Sequence, residues 1–135
     1  MTRGRAVVDA SCVLRAVLDE SEDAFRWLDG IESGEFEGLA PDFMYAEVAH
    51  GLTRQIRANR MTIEQAQDAI STVVEYPLIT TPSRLLAPAA CTVAVGKTVS
   101  AYDAHYVALA EAKDAVLVTA DRVLAAAATR SVLLE

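Results

Sequence analysis

An α/β sandwich of three layers, with a central parallel sheet of four or five strands, is the architecture this chain predicts. Short apolar, β-branched runs (Ala6 to Val8, Ala115 to Thr119) alternate with longer segments of helical periodicity. Strands separated by helices pair in parallel through right-handed crossovers. The runs are also apolar throughout rather than alternating, as strands covered on both faces are. The strand order does not follow from this pattern. The two most hydrophobic strands, AVVD and AVLVTAD, are nevertheless expected to be central neighbours.

Each element has its own signal. After the strand Ala6–Asp9, the residues Val13, Leu14, Val17 and Leu18 lie along one helical stripe. Phe25, Trp27, Leu28 and Ile31 mark a second helix from Glu22 to Ile31, with Gly30 near its end. Phe36 to Ala40 reads as a weaker strand. Pro41 is expected to open the next helix, where proline is tolerated, and that helix runs through Phe43, Val48, Leu52 and Ile56. Thr62 and Gln65 form a capping box for a helix from Ile63 to about Glu75. Pro77 stops it, and Leu78–Thr80 makes a short strand. A helix from Pro82 through Leu85, Leu86 and Val95 is expected to end at Gly96, and Ser100 with Asp103 forms a capping box for the next. Ala115–Thr119 is the clearest strand, followed by a short alanine-rich helix after Asp121 and a last strand Val132–Leu134.

A length of 135 residues with 53% hydrophobic content suits one well-cored domain over residues 1–135. The start, MTRGR, is basic, but Asp9 cuts the apolar run behind it, so no signal-peptide core is expected there. Val123 to Ala128 is far too short an apolar stretch to span a bilayer. Cys12 and Cys91 stand alone, with no zinc-type spacing, and read as small buried thiols of a reducing compartment. A soluble cytoplasmic protein, with no membrane association, is therefore expected.

The net charge of −7 argues against binding nucleic acid through bulk positive potential. Part of that charge comes from DESED at 19–23, a run that reads as a solvated face. Arg54, Arg57 and Arg60 recur every third position on one expected helix, as a phosphate-contacting strip, a solvated face or a partner-binding edge would.

Four acids stand where an apolar segment meets a turn: Asp9, Glu47, Asp103 and Asp121. Taken singly, Asp9 and Asp121 read as helix caps and Asp103 as a capping-box partner. Glu47, expected in the second turn of its helix near Phe43 and Leu52, has no basic residue three or four positions away; His50 is its i+3 neighbour. A parallel sheet gathers strand ends and helix starts at its carboxyl edge, where ligands bind. Four carboxylates converging there need a cation, and Mg²⁺ or Mn²⁺ suits such oxygen-rich donors better than zinc. No phosphate-binding loop, dinucleotide fingerprint or serine-hydrolase elbow is present in the sequence. Neither His50 nor His105 is assigned to catalysis.

In this pattern the chain resembles the PIN-domain ribonucleases, and within them the toxins of VapBC-type toxin–antitoxin pairs. AVVDAS at 6–11 is similar to the family's opening strand with its first acid, and Glu47 on its helix to the second. SAYDAHYVALAE at 100–111 resembles the third motif and LVTADRVL at 117–124 the fourth. The resemblance implies Asp9, Glu47, Asp103 and Asp121 as catalytic metal-binding acids, with the hydroxyls of Ser11 and Thr119 near the metal or its waters. It further implies an Mg²⁺- or Mn²⁺-dependent endoribonuclease with an RNA substrate, a small antitoxin partner and a homodimeric assembly. Hydrolysis would leave a 5′-phosphate and a 3′-hydroxyl. Cys12 departs mildly from the pattern, where a larger aliphatic residue is more typical. Phe43, Met44 and Trp27 are expected to be exposed and to line the antitoxin groove.

Two other readings compete. A phosphatase using Asp9 as nucleophile would place a second acid at position 11, which is Ser11. A PIN-like module that only binds protein would be expected to lose acids, and all four are kept.

Overall fold

A computed structural model of the chain describes residues 4–135, so the first three residues of the basic start lie outside it. In chain order the elements are β1 (Arg5–Val8), α1 (Ala10–Val17), α2 (Glu22–Glu32), β2 (Glu37–Pro41), α3 (Met44–Arg57) and α4 (Ile63–Glu75). They continue as β3 (Ile79–Thr81), α5 (Ser83–Lys97), α6 (Ala101–Ala112), β4 (Val116–Thr119), α7 (Arg122–Ala127) and β5 (Ser131–Leu133). The strands form one sheet in the order β3-β2-β1-β4-β5, and every neighbouring pair is parallel. Helices α1 to α4 pack together as one group, and α6 packs on both α5 and α7 as another. The result is the expected α/β/α sandwich with five strands.

The apolar content explains the arrangement. Ala6, Val7 and Val8 of β1 and Leu117 and Val118 of β4 are fully buried, and β1 pairs directly with β4 in the register Ala6↔Val116 to Val8↔Val118. The two most hydrophobic strands are thus neighbours at the centre, and Asp9 and Thr119 leave the sheet at the same edge. No single described helix is long and apolar enough to cross a membrane.

Gly38 in β2 shows how tightly the sheet is covered. A Cβ there would lie 2.7 Å from Ile31 Cγ2 and 2.8 Å from Leu78 Cδ2. Ile31 is itself buried, so its side chain has little room to yield. Gly38→Ala is expected to destabilise the fold by about 1–3 kcal/mol, the usual cost of overpacking. Chemical denaturation measures this; an unchanged midpoint would mean that Ile31 and Leu78 repack freely.

Several boundaries differ from the sequence expectation. Pro41 ends β2 instead of opening α3. The Asp42 N–H donates to the Thr81 carbonyl at 2.9 Å, on the β3 side. By alternation the Pro41 nitrogen faces Val8, the last residue of β1, so only the final rung of that ladder is forfeited. With α3 starting at Met44, Glu47 falls in its first turn and not its second. Helix α5 runs past Gly96 to Lys97, and the left-handed residue that closes it is Thr98 (φ 57°). Arg60 lies beyond the end of α3, after the left-handed Asn59, so the arginines do not share one helix.

Two side-chain expectations also change. Cys12 is buried as expected, whereas Cys91 is exposed. Met44 is core, and Trp27 and Phe43 are half-buried against the core, with the Trp27 and Phe36 rings tilted at 36° and 4.7 Å apart. These three residues do not form one exposed groove.

Candidate active site

Asp9 takes an extended backbone just after β1 and caps α1, its Oδ1 accepting the Cys12 N–H at 2.9 Å. A cap needs only that bond, yet both carboxylate oxygens are engaged further. Ser11 Oγ donates to Oδ1 at 2.7 Å, and Thr119 Oγ1 donates to Oδ2 at 2.5 Å. The two hydroxyls in turn accept from the turn after β4: Ser11 from the Ala120 N–H at 2.9 Å, Thr119 from the Asp121 N–H at 3.0 Å. Each therefore ties the end of β1 to the end of β4 and aims the Asp9 carboxylate. Asp9 is only 5% exposed, and burial raises its pKa. The three hydrogen bonds oppose that shift and the charge of Asp103 adds to it.

Glu47 reaches the same pole from α3 and accepts a hydrogen bond from the Tyr106 hydroxyl of α6 at 2.5 Å. Burial raises its pKa; the Tyr106 bond opposes this, the charges of Asp103 and Asp9 add to it, and His105 lowers it. Asp103 stands in the first turn of α6, where Ser100 caps the helix by accepting the Asp103 N–H at 3.0 Å. The cap belongs to Ser100, which leaves the Asp103 carboxylate available to the site. Its pKa is raised by burial and then by the charge of Asp121, with the Ser100 hydrogen bond opposing. Asp121 caps α7, its Oδ1 accepting from Val123 N–H at 2.9 Å and Leu124 N–H at 3.1 Å.

The four acids proposed from sequence stand at the carboxyl edge of the sheet, where the charge of Asp103 acts on Asp9 and Glu47 and that of Asp121 on Asp103. Among the described residues no Lys or Arg pairs with any of them. No three described His, Cys, Asp or Glu side chains close on a common point at ligand distance. Several of their oxygens are turned to internal donors: Asp9 to Cys12, Ser11 and Thr119, Glu47 to Tyr106, Asp121 to Val123 and Leu124.

Tyr106 is the functional neighbour that sequence reading placed only in the apolar stripe of its helix. Its ring is 1% exposed while its hydroxyl reaches Glu47. The signal was present in YDAHY, because Tyr106 follows Asp103 by three and shares its helix face. Tyr106→Phe is expected to remain folded, to lose about 1–3 kcal/mol for the charge-assisted bond, and to raise the Glu47 pKa further. Denaturation together with the pH profile of activity reads this; an unmoved acidic limb would show that the hydroxyl does not tune Glu47.

Residues 6–129 match the family described as PIN domain. The chain belongs to the PIN-domain family. Its relatives within that family include VapC ribonuclease Mb0985 of Mycobacterium bovis, 35% identical over 120 residues that span 85% of this chain and 84% of that protein. Ribonuclease VapC1 of Mycobacterium tuberculosis is 36% identical over 124 residues, 90% of this chain and 89% of the relative. The PIN fold itself recurs in the crystal structure of PAE2754 from Pyrobaculum aerophilum, with a TM-score of 0.76 at 24% identity, covering 98% of this chain and 91% of that one. VapBC2 from Rickettsia felis, solved bound to a DNA fragment from its promoter, superimposes with a TM-score of 0.70 at 13% identity over 97% and 99% of the two chains.

Proposed function

We propose that this PIN-domain protein is a metal-dependent endoribonuclease of the VapC type, the toxin of a toxin–antitoxin pair. One observation carries the reading: four carboxylates at the carboxyl edge of the sheet, Asp9 buried and none paired with a described Lys or Arg, in a chain related to VapC ribonucleases. The donor set is all oxygen and carries excess negative charge, which fits a hard divalent cation such as Mg²⁺ or Mn²⁺. Asp9, Glu47, Asp103 and Asp121 would hold it.

When bound, such an ion supplies an acidified water and offsets charge on the phosphodiester oxygens. The chain's own residues do the rest. Ser11 and Thr119 fix the Asp9 carboxylate from both sides, so that its orientation is set before any substrate arrives. Tyr106 holds one oxygen of Glu47 and leaves the other for the site. Ser100 caps α6 through the Asp103 backbone N–H, and Asp121 is anchored through one oxygen by two backbone N–H groups.

A small antitoxin that silences the enzyme and a homodimeric assembly complete the proposal. Cleavage of RNA on addition of Mg²⁺, lost again with chelator, tests it; RNA left intact with Mg²⁺ and with Mn²⁺ would overturn it.

A further inference from the structure

Two clefts open side by side along the groove between α1 and α3, both starting at the carboxylate pole. The first, about 670 Å³, is lined by Glu47 and by Phe43, His50 and Tyr102. The second, about 450 Å³, is lined by Ser11, which hydrogen-bonds Asp9, and by Arg15 and Arg60. Leu14, Gly51 and Arg54 line both, so the two are continuous. Gly51 keeps α3 close to α1 there: a Cβ would lie 2.5 Å from Leu14 Cδ1.

The charge along this groove runs against that of the whole chain, whose formal net charge is −7. Arg5, Arg26 and Arg130 are each paired with a carboxylate. Among the described residues, Arg15, Arg54 and Arg60 form no such pair, although Glu20 shares the lining of the second cleft with Arg15 and Arg60. Three guanidinium groups from two helices and a following turn thus face one groove with their donors unspent by carboxylates. Guanidinium forks of this kind match phosphate oxygens. At the other end of the groove the Tyr102 ring is 68% exposed and meets Phe43 edge-on at 5.9 Å and 87°, which leaves a ring face open. An exposed aromatic face beside a cationic groove is how single-stranded nucleic acid is held without sequence readout.

We propose that this groove is the track for a single-stranded RNA segment: Tyr102 stacks a base beside the carboxylate pole, and Arg54, Arg15 and Arg60 hold phosphates leading away from it. The inference rests on the endoribonuclease reading and assigns that site its substrate grip. An acidic peptide would also meet the arginines, but it offers no base for Tyr102 to stack.

The test compares the parent with the triple variant R15Q/R54Q/R60Q and with Tyr102→Ala, each checked for folding by circular dichroism. Arg130→Gln is the control, since Arg130 pairs with Asp114 ahead of β4 and β5, at the opposite edge of the sheet. Cleavage kinetics on single-stranded RNA in Mg²⁺ are measured beside binding of the same oligonucleotide in chelator, where metal-dependent cleavage is off, across a salt series. Each phosphate contact on a single strand contributes a slope of about 0.7 in log affinity against log salt. The triple variant is expected to lose roughly 2 from that slope, with KM raised at least about tenfold. Tyr102→Ala should weaken binding at least about fivefold without changing the slope. A parent that cleaves RNA while the triple variant keeps its slope and KM would overturn the track and leave the nuclease reading standing. A triple variant that binds RNA normally but no longer co-purifies with the antitoxin would reassign the groove to a protein partner, which also overturns it. A parent that neither cleaves nor binds RNA would remove both readings.

Discussion

Asp9→Asn is expected to yield a folded protein whose RNA cleavage falls by about a thousandfold or more, the equivalent of roughly 4 kcal/mol of transition-state stabilisation. The substitution separates charge from structure. Asparagine caps a helix as well as aspartate, so its Oδ1 can keep the Cys12 N–H and the Ser11 hydroxyl. The amide would take the place of Oδ2, and the Thr119 hydroxyl, now a donor to Asp9, would turn to accept from it. What is lost is the negative charge in the most buried of the four acids. Because burial opposes that charge, its removal should not lower the stability of the metal-free protein. Asp9→Ala is a poorer test, since it also strands two hydroxyls and removes the cap, which alone costs about 0.5–2 kcal/mol. Melting curves and RNA cleavage of purified Asp9→Asn in Mg²⁺ check both halves. Cleavage at the parent's rate would remove Asp9 from the catalytic assignment.

The parts of this site legible in sequence are those set by local chemistry. AVVD and AVLVTAD announce buried central strands because they lack any polar face, and the sheet pairs them as neighbours. Thr62 and Gln65 announce a helix start because a capping box is a local reciprocal pair, and both of its bonds are present. Ser11 and Thr119 entered the reading only through the family resemblance; Ser11 bonds Asp9 from the next turn of chain, but Thr119 reaches it from a strand more than a hundred residues away. What the sequence hid depends on tertiary geometry. Pro41 carries the same φ at a helix start as at a strand end, and only the pairing of β2 with its neighbours shows which of the two it occupies. Thr98 closes α5 in a left-handed conformation that favours glycine, although Gly96 stands two residues earlier. Tyr106 is apolar in its helix pattern, and its role appears only when α3 brings Glu47 to its hydroxyl. The arginines of the groove come from α1, α3 and the turn after it, and no single periodicity joins them.

Metal is expected to stabilise the folded protein, and burial of the acids, with their mutual repulsion added, sets the sign of the pH response without it. Asp9, Glu47 and Asp103 all have folded pKa values raised above the ordinary carboxylate range, with burial first and neighbouring acids adding to it. A carboxylate of this kind binds protons more readily folded than unfolded. Its contribution is therefore fully present below its unfolded pKa, near 3.8 for Asp103, and is lost as pH rises through the folded value. In chelator these acids favour the mildly acid fold over the neutral one. A cation that binds only the folded site restores that loss at neutral pH, by about 2.7 kcal/mol at a hundredfold excess over Kd. Asp103→Asn isolates the effect, because Ser100 caps α6 through the Asp103 backbone and the side chain is not needed for the helix. The variant should be at least as stable as the parent in chelator at neutral pH, and should gain less from Mg²⁺ or Mn²⁺. Its advantage in chelator should also fade as pH falls, since protonation then relieves the parent of the same charge. Four melting curves at neutral pH, each protein with chelator and with metal, decide between the alternatives. If the parent ignores the metal, or if both proteins shift equally, the acids do not act as one site.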